Sequence, residues 1–236
     1  MDGRHPEAVR LTLTRCTNPA REAEFNTWYD QVHVPDIIAG GVATHATRFA
    51  HADPHADNLP YLALYELPGK DLARIHQGFA DLVDRLRAQG RTFASLHVGR
   101  RSMWERIGGR FSTERTGRAK TAGLFIIESQ CTPRERAREF NEWYDRIHIP
   151  DLLATGLFHT AHRFQGMAGQ DGGTYLAIYE TAGDPLDAVH EFVRSHRPKL
   201  QAAGRLSDII EITWRGIYRR TALTGQSPGQ LIKTDS

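Results

Sequence analysis

The sequence predicts an α+β protein: two tandem βαββαβ modules that pack sheet to sheet and close a barrel within one chain. Three observations carry this expectation. The chain repeats itself, each copy alternates strand and helix periodicity in the same order, and each copy taken alone would leave one sheet face uncovered. FNTWYDQVHVPDIIAGGVATHATRF, from Phe25 to Phe49, recurs without a gap as FNEWYDRIHIPDLLATGLFHTAHRF, from Phe140 to Phe164, an offset of 115. Cys16 and Cys131 continue the match upstream, and PYLALYE and TYLAIYE continue it downstream after a one-residue slip. A period this long is a small domain, not a solenoid unit.

The elements follow in order. Residues 9–16 and 121–131 read as first strands. Helices follow from Pro19 to Ala39 and from Arg134 to Ala154. Second strands span Val42–Ala50 and Leu157–Gln165, and third strands Tyr61–Leu67 and Tyr175–Thr181. An amphipathic helix then carries Leu72, Ile75, Phe79, Leu82, Val83 and Leu86, and its twin Leu186, Val189, Phe192 and Val193, with a kink expected at Pro198. Last strands hold Trp104 and Trp214. This is the ferredoxin-like order. The expected division is a first module over 1–110, a linker over 111–120 (the Gly- and charge-rich stretch begins at 108), a second module over 121–220, and a loose polar tail over 221–236. Two sheets facing each other form a pseudo-two-fold α/β barrel, whose centre is the expected pocket.

Composition excludes several classes. Of 236 residues, 40% are apolar and 25% charged, which suits a globular chain. A formal charge of +2 with no dense Lys/Arg block predicts no nucleic-acid partner. No apolar run is long enough for a membrane span, and MDGRHPEAVR lacks a signal-peptide core. A cytoplasmic protein with two reduced thiols is expected, with a small molecule as partner and a homodimer of the fused chain as a further option.

The first helix carries two stripes. Phe25, Trp28 and Val32 share an apolar face, while Asn26, Asp30 and His33 share a polar one. Pro35 should push Val34 out of helical geometry and break the helix just after His33, with His33 and Asp36 flanking the break; His148, Pro150 and Asp151 repeat the arrangement. An imidazole beside a carboxylate can move a proton or can simply staple a kink, and both roles fit His33/Asp36 and His148/Asp151. On the second strand, His45, His159 and His162 face threonines at the matching positions of the other copy. They break the internal symmetry, so they are catalytic candidates, with rim histidines as the plain alternative. Arg48 and Arg163 are candidates to hold a substrate anion, or else to pair with Glu66 and Glu180 across strands. Alternation on the third strand separates Tyr61 and Tyr65 from Leu62 and Leu64. With the leucines under the helices, Tyr61, Tyr65, Tyr175 and Tyr179 would face the barrel interior as oxyanion donors or as aromatic core. Trp28, Trp143, Tyr29, Tyr144, Trp104 and Trp214 complete the candidate ligand contacts. Neither a phosphate loop, a zinc-spaced Cys pair nor a Ser elbow occurs, and His33-x-x-Asp36 lacks a third metal ligand.

The doubled FNxWYDxxHxPD run resembles the EthD-like branch of the dimeric α/β-barrel superfamily over residues 8–110 and 120–218. The resemblance implies the barrel fold. Relatives include cofactor-free cyclases and aromatases, muconolactone-type isomerases, quinol-forming monooxygenases, haem-binding members and proteins known only from gene neighbourhoods. The expected activity is cofactor-independent acid–base catalysis (cyclisation, isomerisation, dehydration or C–C lysis) on an aromatic or polyketide-like substrate. A non-catalytic binding protein and an oxygenase are the alternatives. No cofactor and no metal are expected.

Overall fold

The computed structural model describes residues 1–53, 59–167 and 173–221, so the tail expected over 221–236 lies outside the described residues from 222 onward. Eight strands form one closed antiparallel barrel: β1 (Ala8–Cys16), β2 (His45–His51), β3 (Tyr61–Glu66), β4 (Leu96–Ser112), β5 (Gly123–Cys131), β6 (Thr160–Gly166), β7 (Tyr175–Thr181) and β8 (Ile210–Arg220). Their order around the barrel is β1-β3-β2-β8-β5-β7-β6-β4. Each half therefore runs fourth-first-third-second, and the halves join at two seams. At one, Phe49, Ala50 and His51 of β2 pair with Arg220, Arg219 and Tyr218 of β8. At the other, β4 runs on through the Gly-rich stretch to Ser112 and pairs with β6 on both sides of an irregularity between Ile107 and Phe111. Among the described residues, closure leaves no free sheet edge.

Helices cover the outside of the barrel. In the first half these are α1 (Glu22–Trp28), α2 (Val34–Ala39) and α3 (Leu72–Ala88); in the second, α4 (Ala137–Trp143), α5 (Ile149–Ala154), α6 (Pro185–Glu191) and α7 (Arg197–Ala202). Asp71 caps α3 by accepting from the Arg74 N–H, and Asp184 caps α6 by accepting from Leu186 and Asp187. Among the described residues no helix is long and apolar enough to cross a membrane.

The expected break after His33 does not occur. Val34 stays helical, with φ −61° and ψ −47°, and its N–H donates to the Tyr29 carbonyl five residues back. Pro35 has no N–H to offer the preceding turn, and the chain widens into one π turn over Tyr29–His33 instead of stopping. The same turn precedes Pro150, over Tyr144–His148, and Pro198, over Phe192–His196.

The barrel centre is packed, which corrects the expectation of a pocket there. Val9, Leu11, Leu13, Phe49, Leu62, Leu64 and Trp104 meet Leu124, Ile126, Phe164, Leu176, Ile178 and Tyr218 in one buried cluster. The leucines of the third strand therefore point inward, and Tyr65 and Tyr179 belong to the layers between sheet and helices. Trp104 is buried in the barrel core and donates to Ser102 Oγ at 2.8 Å. Its counterpart by ladder register is Tyr218, since Val9 pairs with Trp104 and Leu124 with Tyr218. Trp214 sits instead opposite Glu128, with the Arg100 guanidinium 5.3 Å from its ring centre and Arg100 paired to Glu128.

Each helix layer is fixed to its sheet by a buried guanidinium. Arg48 donates to Asp30 at 2.9 Å and to Asn26 Oδ1 at 2.8 Å, and lies 4.2 Å over the Tyr29 ring. Arg163 repeats this with Asp145 at 2.7 Å, Asn141 at 2.7 Å and Tyr144 at 4.4 Å. The expected cross-strand partners, Glu66 and Glu180, are engaged elsewhere. Glu66 accepts from Arg4 at 2.8 Å, and Glu180 from His162 at 2.6 Å and the Met1 amine at 2.9 Å. The side chain of Asp30 is 3% exposed but that of Asp145 is 28% exposed. Removing the arginine takes the paired cation from a dry carboxylate in one half and from a wetter one in the other. Arg48→Ala should therefore cost about 3–5 kcal/mol and Arg163→Ala clearly less, read as the difference between their urea midpoints. Equal losses would refute this ordering.

Candidate active site

The repeated signature distributes its residues between scaffold and cavity. Phe25 and Phe140 are core. Trp28 Nε1 donates to the Arg91 carbonyl at 3.1 Å, and Asp36 accepts from the Arg91 guanidinium at 2.7 and 2.8 Å. Trp143 and Asp151 hold Arg205 in the same way, at 2.9 Å and 2.6–2.7 Å. The turns that deliver these arginines pass through Gly90 and Gly204, at φ +68° and +66°, a region that a side chain would strain. Asp36 and Asp151 thus tie α2 and α5 to the turn after the last helix. Their carboxylates are spent on arginine.

His33 and His148 differ from these groups, because neither imidazole has a hydrogen bond within the described residues. His33 stacks on Trp28 at 5.0 Å and meets Tyr29 edge-on at 4.8 Å; His148 does the same with Trp143 and Tyr144 at 4.7 and 4.9 Å. Burial pushes each imidazole down to about 4. Behind each lies a pair of phenols, Tyr29 and Tyr65 at 3.2 Å and Tyr144 and Tyr179 at 3.4 Å. Burial raises all four phenols, most of all Tyr65 and Tyr179, so they remain protonated donors.

The halves diverge beyond this point. In the first half a cavity of about 580 Å³ opens between the sheet and the helices. Its wall includes Arg10 and Thr12 of β1, Trp28, Tyr29 and His33, Tyr65 of β3, His76, Phe79 and Val83 of α3, Phe93, and His97 and Arg101 of β4. At the offset of 115, Arg10 corresponds to Phe125, Thr12 to Ile127 and Ala43 to Phe158. Phe125 stacks at 6.1 Å on Phe158 and 6.0 Å on Tyr179, so aromatic rings fill the corresponding space in the second half.

The structure brings together only part of the expected site. His33, Tyr65, Trp28 and Tyr29 line the cavity. Their twins His148, Tyr179, Trp143 and Tyr144 sit in the filled half. Tyr61 and Tyr175 pair with Asn26 and Asn141 at 2.9 and 3.4 Å, outside the cavity wall. The candidate histidines of the second strands line no part of it. His45 is exposed at the rim, 3.8 Å from Glu66. His159 contacts Thr160 Oγ1 at 2.8 Å, and His162 is buried against Glu180. Burial works against the charge of Glu180, but the hydrogen bond from His162, the Met1 amine and the Thr121 hydroxyl outweigh it and hold the carboxyl well below the usual range, and the Asp2 N–H donates to it at 3.1 Å. Sequence reading missed Arg10, His76, Phe79, His97 and Arg101. The Arg10/Phe125 difference, a charge facing a ring at the repeat offset, was the available signal. Among the described residues no three His, Cys, Asp or Glu side chains cluster as a metal site.

The fold is that of the dimeric α/β barrels. A dye-decolorizing peroxidase from Bacteroides thetaiotaomicron superposes with a TM-score of 0.61 at 8% identity over 94% of each chain. An anthrone oxidase-like protein superposes at 0.54 with 13% identity over 94% of each chain. A chlorite dismutase variant from Candidatus Nitrospira defluvii superposes at 0.55 with 10% identity over 93% of each chain. The sequence model of a domain of unknown function, DUF4286, matches residues 124–206. Core atranone cluster (CAC) protein 1 of Stachybotrys chlorohalonatus is 41% identical over 67 residues, a match that spans 28% of this chain and 27% of that protein.

The half-buried, desolvated imidazoles of His33 and His148 make stability depend on pH in a defined sense. Above about pH 6.5 they are neutral in both folded and unfolded chains. As pH falls from 6.5 towards 4, the unfolded chain binds protons that the folded one refuses, so stability falls, by up to about 3 kcal/mol per group. Urea unfolding of His148→Phe at pH 7.5 and pH 4.5 should give a smaller difference than wild type. An unchanged difference would contradict the burial argument.

Proposed function

We propose that the chain is a small-molecule enzyme whose reaction is cofactor-independent proton transfer in the first-half cavity. We also read it as two fused ferredoxin-like modules of the EthD-like type, divided near residues 111–120. The observation that carries the enzymatic reading is the convergence on one cavity of a neutral, unbonded imidazole and a donor phenol pair. An imidazole kept unprotonated at neutral pH can accept a proton from an acidic C–H. A Tyr29–Tyr65 chain can donate towards the enolate or phenolate oxygen that then develops, Tyr65 receiving from Tyr29 while it gives. Return of the proton from His33 to another carbon completes an isomerisation; attack of the enolate carbon on a carbonyl of the same molecule, with the proton passing to the new alkoxide, completes a cyclisation; delivery of the proton to a β-hydroxyl as its C–O bond breaks completes a dehydration. The cavity's aromatic wall suits an aromatic or polyketide-like substrate of ordinary ligand size.

Similarity in fold to an anthrone oxidase-like protein supports a second reading, oxygenation of such a substrate in the same cavity. Oxygen uptake separates the two, because proton transfer alone consumes none. A Soret band or stoichiometric metal in the purified protein would overturn the cofactor-independent reading.

His33→Gln should lower turnover by roughly 10²–10⁴-fold with little change in melting temperature, and His148→Gln should leave turnover near wild type. Tyr65→Phe should lower turnover while a substrate lacking the ionising C–H still binds. If His45→Gln, His159→Gln or His162→Gln abolishes turnover in a folded protein while His33→Gln is silent, the assignment to this cavity fails.

A further inference from the structure

Three arginines of the described chain are buried: Arg10, Arg48 and Arg163. Arg48 and Arg163 have carboxylates at 2.9 and 2.7 Å. Arg10 is different. It is 7% exposed, its Nε reaches only Thr12 Oγ1 at 3.4 Å, and among the described residues no carboxylate lies within ion-pair distance. Its guanidinium is 4.1 Å from the Phe79 ring centre and forms part of the cavity wall. A buried guanidinium without an anion is costly, and proteins otherwise pair it. Arg101 adds a second cation to the same wall, and Asp84, an acid in that wall, is held by Arg87 at 2.6 Å. Burial lowers Arg10 to about 10, which leaves it charged at neutral pH. In the filled half the same position is Phe125, so the fold does not require a cation there.

We infer that the first-half cavity binds an organic anion, a carboxylate or enolate carried on a flat apolar body, with the anionic oxygens seated on Arg10. The planar fork of a guanidinium matches two oxygens of one conjugated anion, and Phe79 holds the fork from behind. Trp28 and Phe93 offer ring surface to the body of the ligand. This inference deepens the proposed function by naming the substrate class, and it rests on that reading only for the choice of cavity. Binding needs no turnover.

The test is calorimetric titration of the full chain with 2-naphthoate and with its neutral isostere 2-naphthamide. Wild type should prefer the carboxylate by roughly tenfold or more. Arg10→Gln should abolish that preference, Arg10→Lys should keep part of it, and His148→Gln, outside the cavity, should keep it in full. Inorganic phosphate should compete weakly, because it lacks the apolar body. Equal affinity for the two naphthyl ligands, absence of naphthoate binding at millimolar concentration, or a preference that survives in Arg10→Gln would each overturn the inference. Should Arg10→Gln fail to fold, Arg10→Met supplies the same comparison with the stem retained. An intact preference in a protein that catalyses no proton transfer would sink the enzymatic reading and leave the anion site standing.

Discussion

The structure depends on a buried guanidinium in each half, supplied by the second strand and clamped by the first helix. Arg48 and Arg163 cannot be left in the layer between sheet and helix without acceptors, because the desolvation cost of an unpaired charge there is several kcal/mol. Asn26 with Asp30, and Asn141 with Asp145, supply those acceptors from one helical face. The spacing of the pairs sets the rotation of the helix about its axis. That rotation sends Phe25 into the core, aims Trp28 and Asp36 at the Arg91 turn, and leaves His33 facing the remaining space. The π turn before Pro35 preserves this arrangement across a residue that cannot complete an ordinary turn.

The duplication explains why most of the signature is scaffold. Residues matched between the halves perform matched packing and bonding, down to the two Trp–Arg turn contacts. A ligand site needs space and charge, and these come from positions where the copies disagree. Arg10 stands where the second half has Phe125, and Thr12 where it has Ile127; together these differences put a cation and a hydroxyl on the cavity wall in place of a ring and an aliphatic chain. His33 and His148 have nearly the same neighbours, but only His33 borders the open cavity.

Much of the fold was legible in the sequence, because repeat and periodicity constrain each other. The helix from Pro19 to Ala39 and the strand Tyr175–Thr181 lie where periodicity put them. The inward face of the third strand was not legible. Alternation separates Leu62 and Leu64 from Tyr61 and Tyr65 but cannot say which set meets the other half, since a barrel covered by helices buries both faces. Choosing the tyrosines as the inner set moved the expected pocket into what is a packed core. The second-strand histidines lie apart from the cavity for a related reason. Asymmetry marks divergence between the copies without saying what it serves, and at His162 it meets a buried Glu180 hub.

Placement of the cavity outside the barrel has a mechanical consequence. The barrel wall is held by continuous ladders and by a core drawn from both halves, so it presents Arg10, Thr12 and Tyr65 on a rigid surface. The opposite wall is α3, joined to the sheet through Phe79, Leu82 and Leu86. One side of the cavity is therefore fixed by both halves of the barrel at once, while the other belongs to a single amphipathic helix. A rigid anchor facing a helix that can adjust by side-chain repacking lets one buried cation set ligand orientation while the helix accommodates ligand size.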